Sequence, residues 1–431
     1  MEDWKREAAD LAAAHHLVAS DSEENLKRTL VQLHQLFSTA PRPIFSTFEG
    51  LSELTLSREC ERRSALLARG DCSWEAPAGS DEREWAMTIG AQIRAVDQSL
   101  MTSMDHLGPR GEVEWLVADL DTYVIPRAIR LKGRRPKQGQ GFDKRGVIHH
   151  RLIPKHIDGY EVCMVYNDTR PVPGARDPVR FGACLFENLV LETRPTGEGE
   201  ELSFVATGIT CKDEAGTIDR QIAAAIAEQC SGVVWPELSI TPEARERIKK
   251  ALADRALSLE KRQAPEVVVA GSWHERDGDR YVNRACVYDG YGVRRVVYEK
   301  TIAYVDRELG PEDIRPGRKL PVLVTDGHLI GFAICKDFCD LAVAVPYLKL
   351  DVDLVVVPSM GNAQTMRGHQ NTAQRLQVKH GTRTFVVQQT IPVGAKPANI
   401  GMVLPMLADP STRPTSKLHQ IDVWKAYKRP P

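Results

Sequence analysis

The chain has 431 residues, 42% of them hydrophobic and 27% charged, the balance of an ordinary soluble globular protein with enough chain for two or three domains. Its 57 basic and 58 acidic residues leave a formal net charge of −1, which excludes a global electrostatic attraction to nucleic acid or an anionic membrane. No apolar run reaches the ~20 residues of a membrane span. The charged opening Met1-Glu2-Asp3-Trp4-Lys5-Arg6 lacks the apolar stretch of a signal peptide, and nine scattered cysteines read as reduced thiols of a cytoplasmic protein.

In chain order, residues 1–126 predict a mostly helical domain, because apolar residues recur every three or four positions. Ser20-Asp21-Ser22-Glu23-Glu24 before Leu26, Leu30, Leu33 and Leu36 reads as a capped amphipathic helix. Asp81–His106 is a second long helix, carrying Trp85, Met87, Ile89, Ile93, Val96, Leu100 and Met104. Glu112–Ile129 is apolar enough to be buried, and Pro41-Arg42-Pro43 and Ala76–Ser80 read as loops.

Residues 127–179 read as a basic connecting region. Arg127, Arg130, Lys132, Arg134, Arg135, Lys137, Lys144, Arg145, Arg151 and Lys155 fall close together among glycines. A solvated linker is the ordinary reading of such a run, and contact with phosphates is the alternative. No zinc-finger spacing, Gly-rich phosphate loop or RNA-recognition signature accompanies it, so nucleic acid is not expected as a partner.

Residues 180–425 change texture, to short β runs separated by turns and a few helices. Phe181–Thr193 and Ser203–Thr210 flank the turn-rich Pro195-Thr196-Gly197-Glu198-Gly199 and predict a hairpin. A helix (Thr217–Gln229), a strand (Gly232–Trp235), a helix (Pro242–Leu259) and a strand (Glu266–Gly271) come next. Tyr281–Tyr288 and Val293–Tyr298 flank Asp289-Gly290-Tyr291-Gly292, and Pro321–Thr325 and Leu329–Ile334 flank Asp326-Gly327-His328, two further hairpins. Val352–Pro358, Arg367–His380 and Thr384–Gln389 complete a strand–helix–strand unit. The whole predicts a layered α/β domain.

Three of these strands stop on a reactive residue. Val233-Val234-Trp235-Pro236-Glu237 ends on a carboxylate, Val296-Val297-Tyr298-Glu299-Lys300 on an amine, and Ile330-Gly331-Phe332-Ala333-Ile334-Cys335 on a thiol. Each alone is commonplace; a lone cysteine after an apolar run is more often inert core. Together, in the order Glu237, Lys300, Cys335, they resemble the nitrilase superfamily of carbon–nitrogen hydrolases. Trp235-Pro236-Glu237-Leu238, Tyr298-Glu299-Lys300-Thr301 and Gly331-Phe332-Ala333-Ile334-Cys335-Lys336-Asp337 match that family's segments around its glutamate, lysine and cysteine. Asn283, Asp289-Gly290-Tyr291-Gly292 and Val357-Pro358-Ser359 match weaker features. The resemblance spans roughly residues 200–390 and does not reach residues 1–180.

The resemblance implies a four-layer α-β-β-α sandwich, a homo-oligomer, and no cofactor or metal. The implied activity is hydrolysis of a non-peptide C–N bond in a small molecule, an amide or carbamoyl group ahead of a nitrile. Cys335 would be the nucleophile, Glu237 the general base and acid, and Lys300 a fixed positive charge beside the oxyanion. It also implies a second glutamate soon after the lysine; Glu308 stands there, as a substrate-positioning residue or a surface acid. Lys336 follows the cysteine and either faces the site or points away. Cys339 reads as a buried thiol. The family's closing strand has only a rough counterpart in Ala398–Pro405, before a proline-rich tail ending Arg429-Pro430-Pro431. Two alternatives remain: a ligand-sensing protein acting through its helical domain, and an acyltransferase or glutaminase component using the same thioester.

Overall fold

A computed structural model describes the chain except residues 16–21, 72, 104–111, 128–135, 168–179, 198, 200–201, 259–263, 326–327, 391–399, 407–414, 418–420 and 426–431. It divides into two compact units, residues 1–155 and 156–431. Among the described residues no helix is long and apolar enough to cross a membrane.

The first unit is helical. It comprises α1 (Glu2–His15), α2 (Glu23–Ser38), α3 (Arg42–Gly50), α4 (Glu53–Leu67), α5 (Glu82–Ser103), α6 (Glu112–Trp115), β1 (Leu116–Val117), β2 (Thr122–Pro126), α7 (Phe142–Arg145) and β3 (His150–Pro154). In α5, Trp85, Ile89, Ile93, Val96 and Leu100 form one buried stripe at helical spacing. Helix α2 starts where the Ser22 hydroxyl accepts the Asn25 N–H at 3.1 Å, satisfying one of the first turn's free donors. The expected loop at Pro41-Arg42-Pro43 instead opens α3, since proline needs no hydrogen-bond partner in a first turn. The stretch Glu112–Ile129 yields one helical turn and then β1 and β2; its last residues, Ala128 and Ile129, lie outside the described residues. The run Thr122-Tyr123-Val124-Ile125 is β-branched and aromatic, which favours the strand.

Part of the expected basic connecting region belongs to this first unit. Arg145 is fully buried, donating to the carbonyls of Phe48, Glu49 and Leu51 and to Glu53. Arg151 is buried too, so neither side chain is free to meet a phosphate. Asp97 accepts the N–H groups of Ile148 (2.7 Å), His149 (2.8 Å) and His150 (3.1 Å). The run's middle, including Arg130 to Arg135, lies outside the described residues.

The second unit runs β4 (His156–Ile157), β5 (Tyr160–Tyr166), β6 (Arg180–Cys184), β7 (Val190–Thr196), β8 (Ser203–Thr210), α8 (Glu214–Ala227), β9 (Gly232–Val234), α9 (Pro242–Ser258), β10 (Val267–Asp277), β11 (Arg280–Tyr288) and β12 (Arg294–Glu299). It continues β13 (Val305–Asp306), β14 (Gly310–Pro311), β15 (Lys319–Val324), β16 (Leu329–Phe332), α10 (Lys336–Cys339), α11 (Val345–Lys349), β17 (Leu354–Met360), α12 (Ala363–Lys379), β18 (Arg383–Gln389), β19 (Gly401–Leu404), β20 (Thr415–Lys417) and β21 (Ile421–Lys425). Six strands form one sheet in the order β12-β11-β10-β9-β6-β21, and eight form another, β20-β19-β18-β17-β16-β15-β5-β4.

Strand alternation builds the layers. Val234, Val267 and Val269 face Phe332, Val356 and Phe385 of the other sheet. Their neighbours Val233, Val268 and Ala270 pack with Ile218, Ile222, Ile248 and Leu252 of α8 and α9. Helix α12 lies against β18 and β19. This is the four-layer α-β-β-α arrangement expected.

Three details differ from the expectations. Phe181–Thr193 is two strands: β6 enters the six-stranded sheet, and among the described residues β7 pairs with β8 alone. Strand β5, inside the expected connecting region, pairs in parallel with β15 and buries Val162 and Met164. At the C-terminus β19 pairs with β18, and β21 returns to pair with β6. The turn residues Glu198, Asp326 and Gly327, residues 398–399, Leu259 and the tail Arg429-Pro430-Pro431 lie outside the described residues.

Candidate active site

Glu237 follows β9 and is 2% exposed; Leu238 beside it takes a positive φ of 49°. The backbone can turn this closely because Gly271, φ +50°, sits at a bulge in β10, where a Cβ would lie 2.4 Å from the Pro236 carbonyl oxygen. Lys300 follows β12 and is 1% exposed. Its Nζ donates to Glu237 Oε1 at 2.8 Å and to Glu312 Oε2 at 2.5 Å.

Cys335 sits between β16 and α10 at φ 40°, ψ −100°, a strained conformation for a residue with a side chain. Its N–H donates to the Pro358 carbonyl at 3.0 Å, and its Sγ lies 3.4 Å from the Met360 carbonyl. The N–H of the same Met360 donates to Glu237 Oε2 at 3.1 Å. One residue at the end of β17 therefore registers both the thiol and the carboxyl. Asp337, one turn into the elbow, accepts the N–H groups of Thr301 (3.0 Å) and Ile302 (2.9 Å) and the Thr301 hydroxyl (2.8 Å). That carboxylate fastens the cysteine elbow to the lysine strand.

The structure thus brings Glu237, Lys300 and Cys335 together and leaves two other expected residues aside. Glu308 is exposed. The Asp306 carboxylate accepts the Glu308 and Leu309 N–H groups at 2.8 and 3.1 Å, closing a turn there. The second carboxylate is Glu312, which the sequence pattern does not single out. It also accepts the Tyr304 N–H at 2.7 Å and Asn283 Nδ2 at 3.3 Å, and bonds to His274 Nε2 at 3.1 Å. Lys336 pairs with Asp340 at 3.1 Å, with about a third of its side chain exposed. Cys339 is half-buried, its N–H donating to the Cys335 carbonyl at 3.1 Å.

Electrostatics set these groups apart. Burial, with Cys335 and Glu312 close by, pushes the Glu237 carboxyl well above the usual carboxylate range despite Lys300. Burial opposes ionisation of Glu312 too, but Lys300 and the His274 hydrogen bond outweigh it and bring it to about 2. Burial alone would lower Lys300; Glu237 and Glu312 hold it well above its ordinary value, a permanent cation. Hydrogen bonding with Cys339 and burial push the Cys335 thiol up, against Lys300. It rests as a thiol.

Residues 211–395 match the family model described as carbon–nitrogen hydrolase. No curated protein matches the chain. Among solved structures, an amidase from Nesterenkonia sp. AN1 in complex with acrylamide is 17% identical, over 59% of this chain and 92% of that one, with a TM-score of 0.41. The same organism's amidase with butyramide is 16% identical over 59% and 93%, with a TM-score of 0.41. Nit3 of Saccharomyces cerevisiae, of branch 10 of the nitrilase superfamily, is 16% identical over 57% and 89%, with a TM-score of 0.40. By the match to the family model, residues 211–395 carry a carbon–nitrogen hydrolase domain.

Proposed function

We propose that the second unit hydrolyses the C–N bond of a small amide or carbamoyl compound through a thioester on Cys335. The observation that carries this is the convergence of three strand ends: Glu237 lies 2.8 Å from Lys300, and Met360 holds both Glu237 and the Cys335 thiol. Ionised Glu237 takes the Cys335 proton as sulfur attacks the carbonyl carbon. Its raised pKa makes it a stronger base than a solvated carboxylate. The oxyanion meets Lys300, whose ammonium has three N–H donors, two of them committed to Glu237 and Glu312. The Lys336 backbone N–H is the second oxyanion donor. Glu237 then returns the proton to the leaving nitrogen, the C–N bond breaks and the acyl group remains on sulfur. Water, deprotonated by the same carboxylate, attacks the thioester and frees the acid and the thiol.

Ammonia release across a panel of amides, ureas and nitriles tests this. Wild type is expected to turn over an amide or carbamoyl member, and Cys335→Ala to lose at least ~1,000-fold, as for removal of a covalent nucleophile. A mass adduct on Cys335 would identify the acyl group. Release dependent on an added amine or protein partner would indicate acyl transfer or glutaminase delivery; undiminished ligand binding by Cys335→Ala without any wild-type turnover would indicate a sensor.

A further inference from the structure

We propose that His274 is a positioning residue of this site: docked on the β7–β8 hairpin through one ring nitrogen, it uses the other to aim the Glu312 carboxylate at Lys300. The proposal rests on the catalytic reading above and names a residue that the triad does not include.

His274 Nδ1 accepts the Ala206 N–H at 2.8 Å. A nitrogen that accepts carries no proton, so the neutral ring bears its proton on Nε2, 3.1 Å from Glu312 Oε1. Both side chains are essentially inaccessible, at 0% and 1% exposure, so solvent cannot replace the bond. Asn283 Nδ2 adds a second donor to the same oxygen. With Oε1 held, Oε2 is turned to Lys300 Nζ and the Tyr304 N–H. The hairpin also grips the segment bearing Glu312, since the Asp313 N–H donates to the Phe204 carbonyl at 2.9 Å and Phe204 bridges Glu312. Hairpin β7–β8 lies outside both large sheets, and this contact gives it a task in the site.

Two carboxyls compete here for one ammonium. The titratable groups acting on them are Lys300, His274, Cys335, Cys339 and Tyr298, and of these only Lys300 is a fixed cation. A donor on Glu312 Oε1 makes Glu312 the resident anion and leaves Glu237 to carry the proton. Without it the charge is shared, Glu237 ionises at lower pH, and it becomes a weaker base.

The test compares His274→Asn with His274→Gln. Asparagine keeps an acceptor for the Ala206 N–H but falls short of Glu312; glutamine extends a donor to Glu312. For an amide that wild type cleaves, His274→Asn is expected to move the acid limb of kcat/KM down by about one pH unit and lower kcat ~10–100-fold, with KM little changed. His274→Gln is expected to restore both. An unmoved limb in His274→Asn, or identical profiles for the two variants, overturns the proposal. The pH dependence of Cys335 alkylation by iodoacetamide, read by peptide mass, repeats the comparison without turnover. An onset shifted in His274→Asn alone, in a chain that cleaves no amide, would sink the hydrolase reading and keep this one. Cys335-dependent turnover with unshifted onsets would do the reverse.

Discussion

At the scale of single residues, the site is backed by a histidine that must stay neutral. His369 Nε2 lies 2.9 Å from the Ser359 hydroxyl, its ring stacked near Phe338 at 6.0 Å, and burial pushes it from 6.5 down to about 3. The folded pKa is the lower one, so this stabilisation is complete above 6.5 and is lost as pH falls towards 3. The loss is on the order of 5 kcal/mol at the acid end. Asp337 acts with the opposite sign: burial pushes its carboxyl up from 3.8 to about 7, a contribution present below 3.8 and lost as pH rises through 7. The two separate in a difference measurement. Thermal melts of wild type and His369→Gln are expected to converge as pH falls from 6.5. Parallel curves would show that His369 does not titrate in this way.

Elements show which parts of the molecule were legible in the sequence. Glu237, Lys300 and Cys335 could be read because each ends an apolar run, and a rigid strand fixes the residue at its end. Glu312 could not, because the fold of the loop decides whether Glu308 or Glu312 reaches the lysine, and both are acids in a polar segment. His274 lies within β10, and its role depends on a hairpin distant in sequence. Strand β5 was hidden by the basic residues around it, although Val162 and Met164 already alternate towards a core. The same basic region supplies Arg145, which caps the C-terminal carbonyls of α3, where a cation is electrostatically favoured. Arg145→Ala strips these donors from buried carbonyls and leaves Glu53 to Arg94 alone. It is expected to cost about 3–5 kcal/mol, read as a lowered denaturant midpoint of the helical unit; a shift below about 1 kcal/mol would contradict this.

At the scale of the whole molecule, residues 1–155 and 156–431 each enclose their own core. Leu30 and Phe385 are both fully buried, one in each. Two calorimetric transitions are therefore expected. Leu30→Ala should lower one and Phe385→Ala the other, by about 3–5 kcal/mol each. A single transition lowered by both would show that the units unfold as one.

The placement of Met360 separates what its backbone does from what its side chain does. Thiol and carboxyl are registered by its amide and carbonyl, groups that every residue except proline supplies alike. Its side chain packs beside Leu238 and Trp273. Any residue except proline at position 360 therefore offers Glu237 and Cys335 the same two backbone groups, whatever its side chain does to the packing around it.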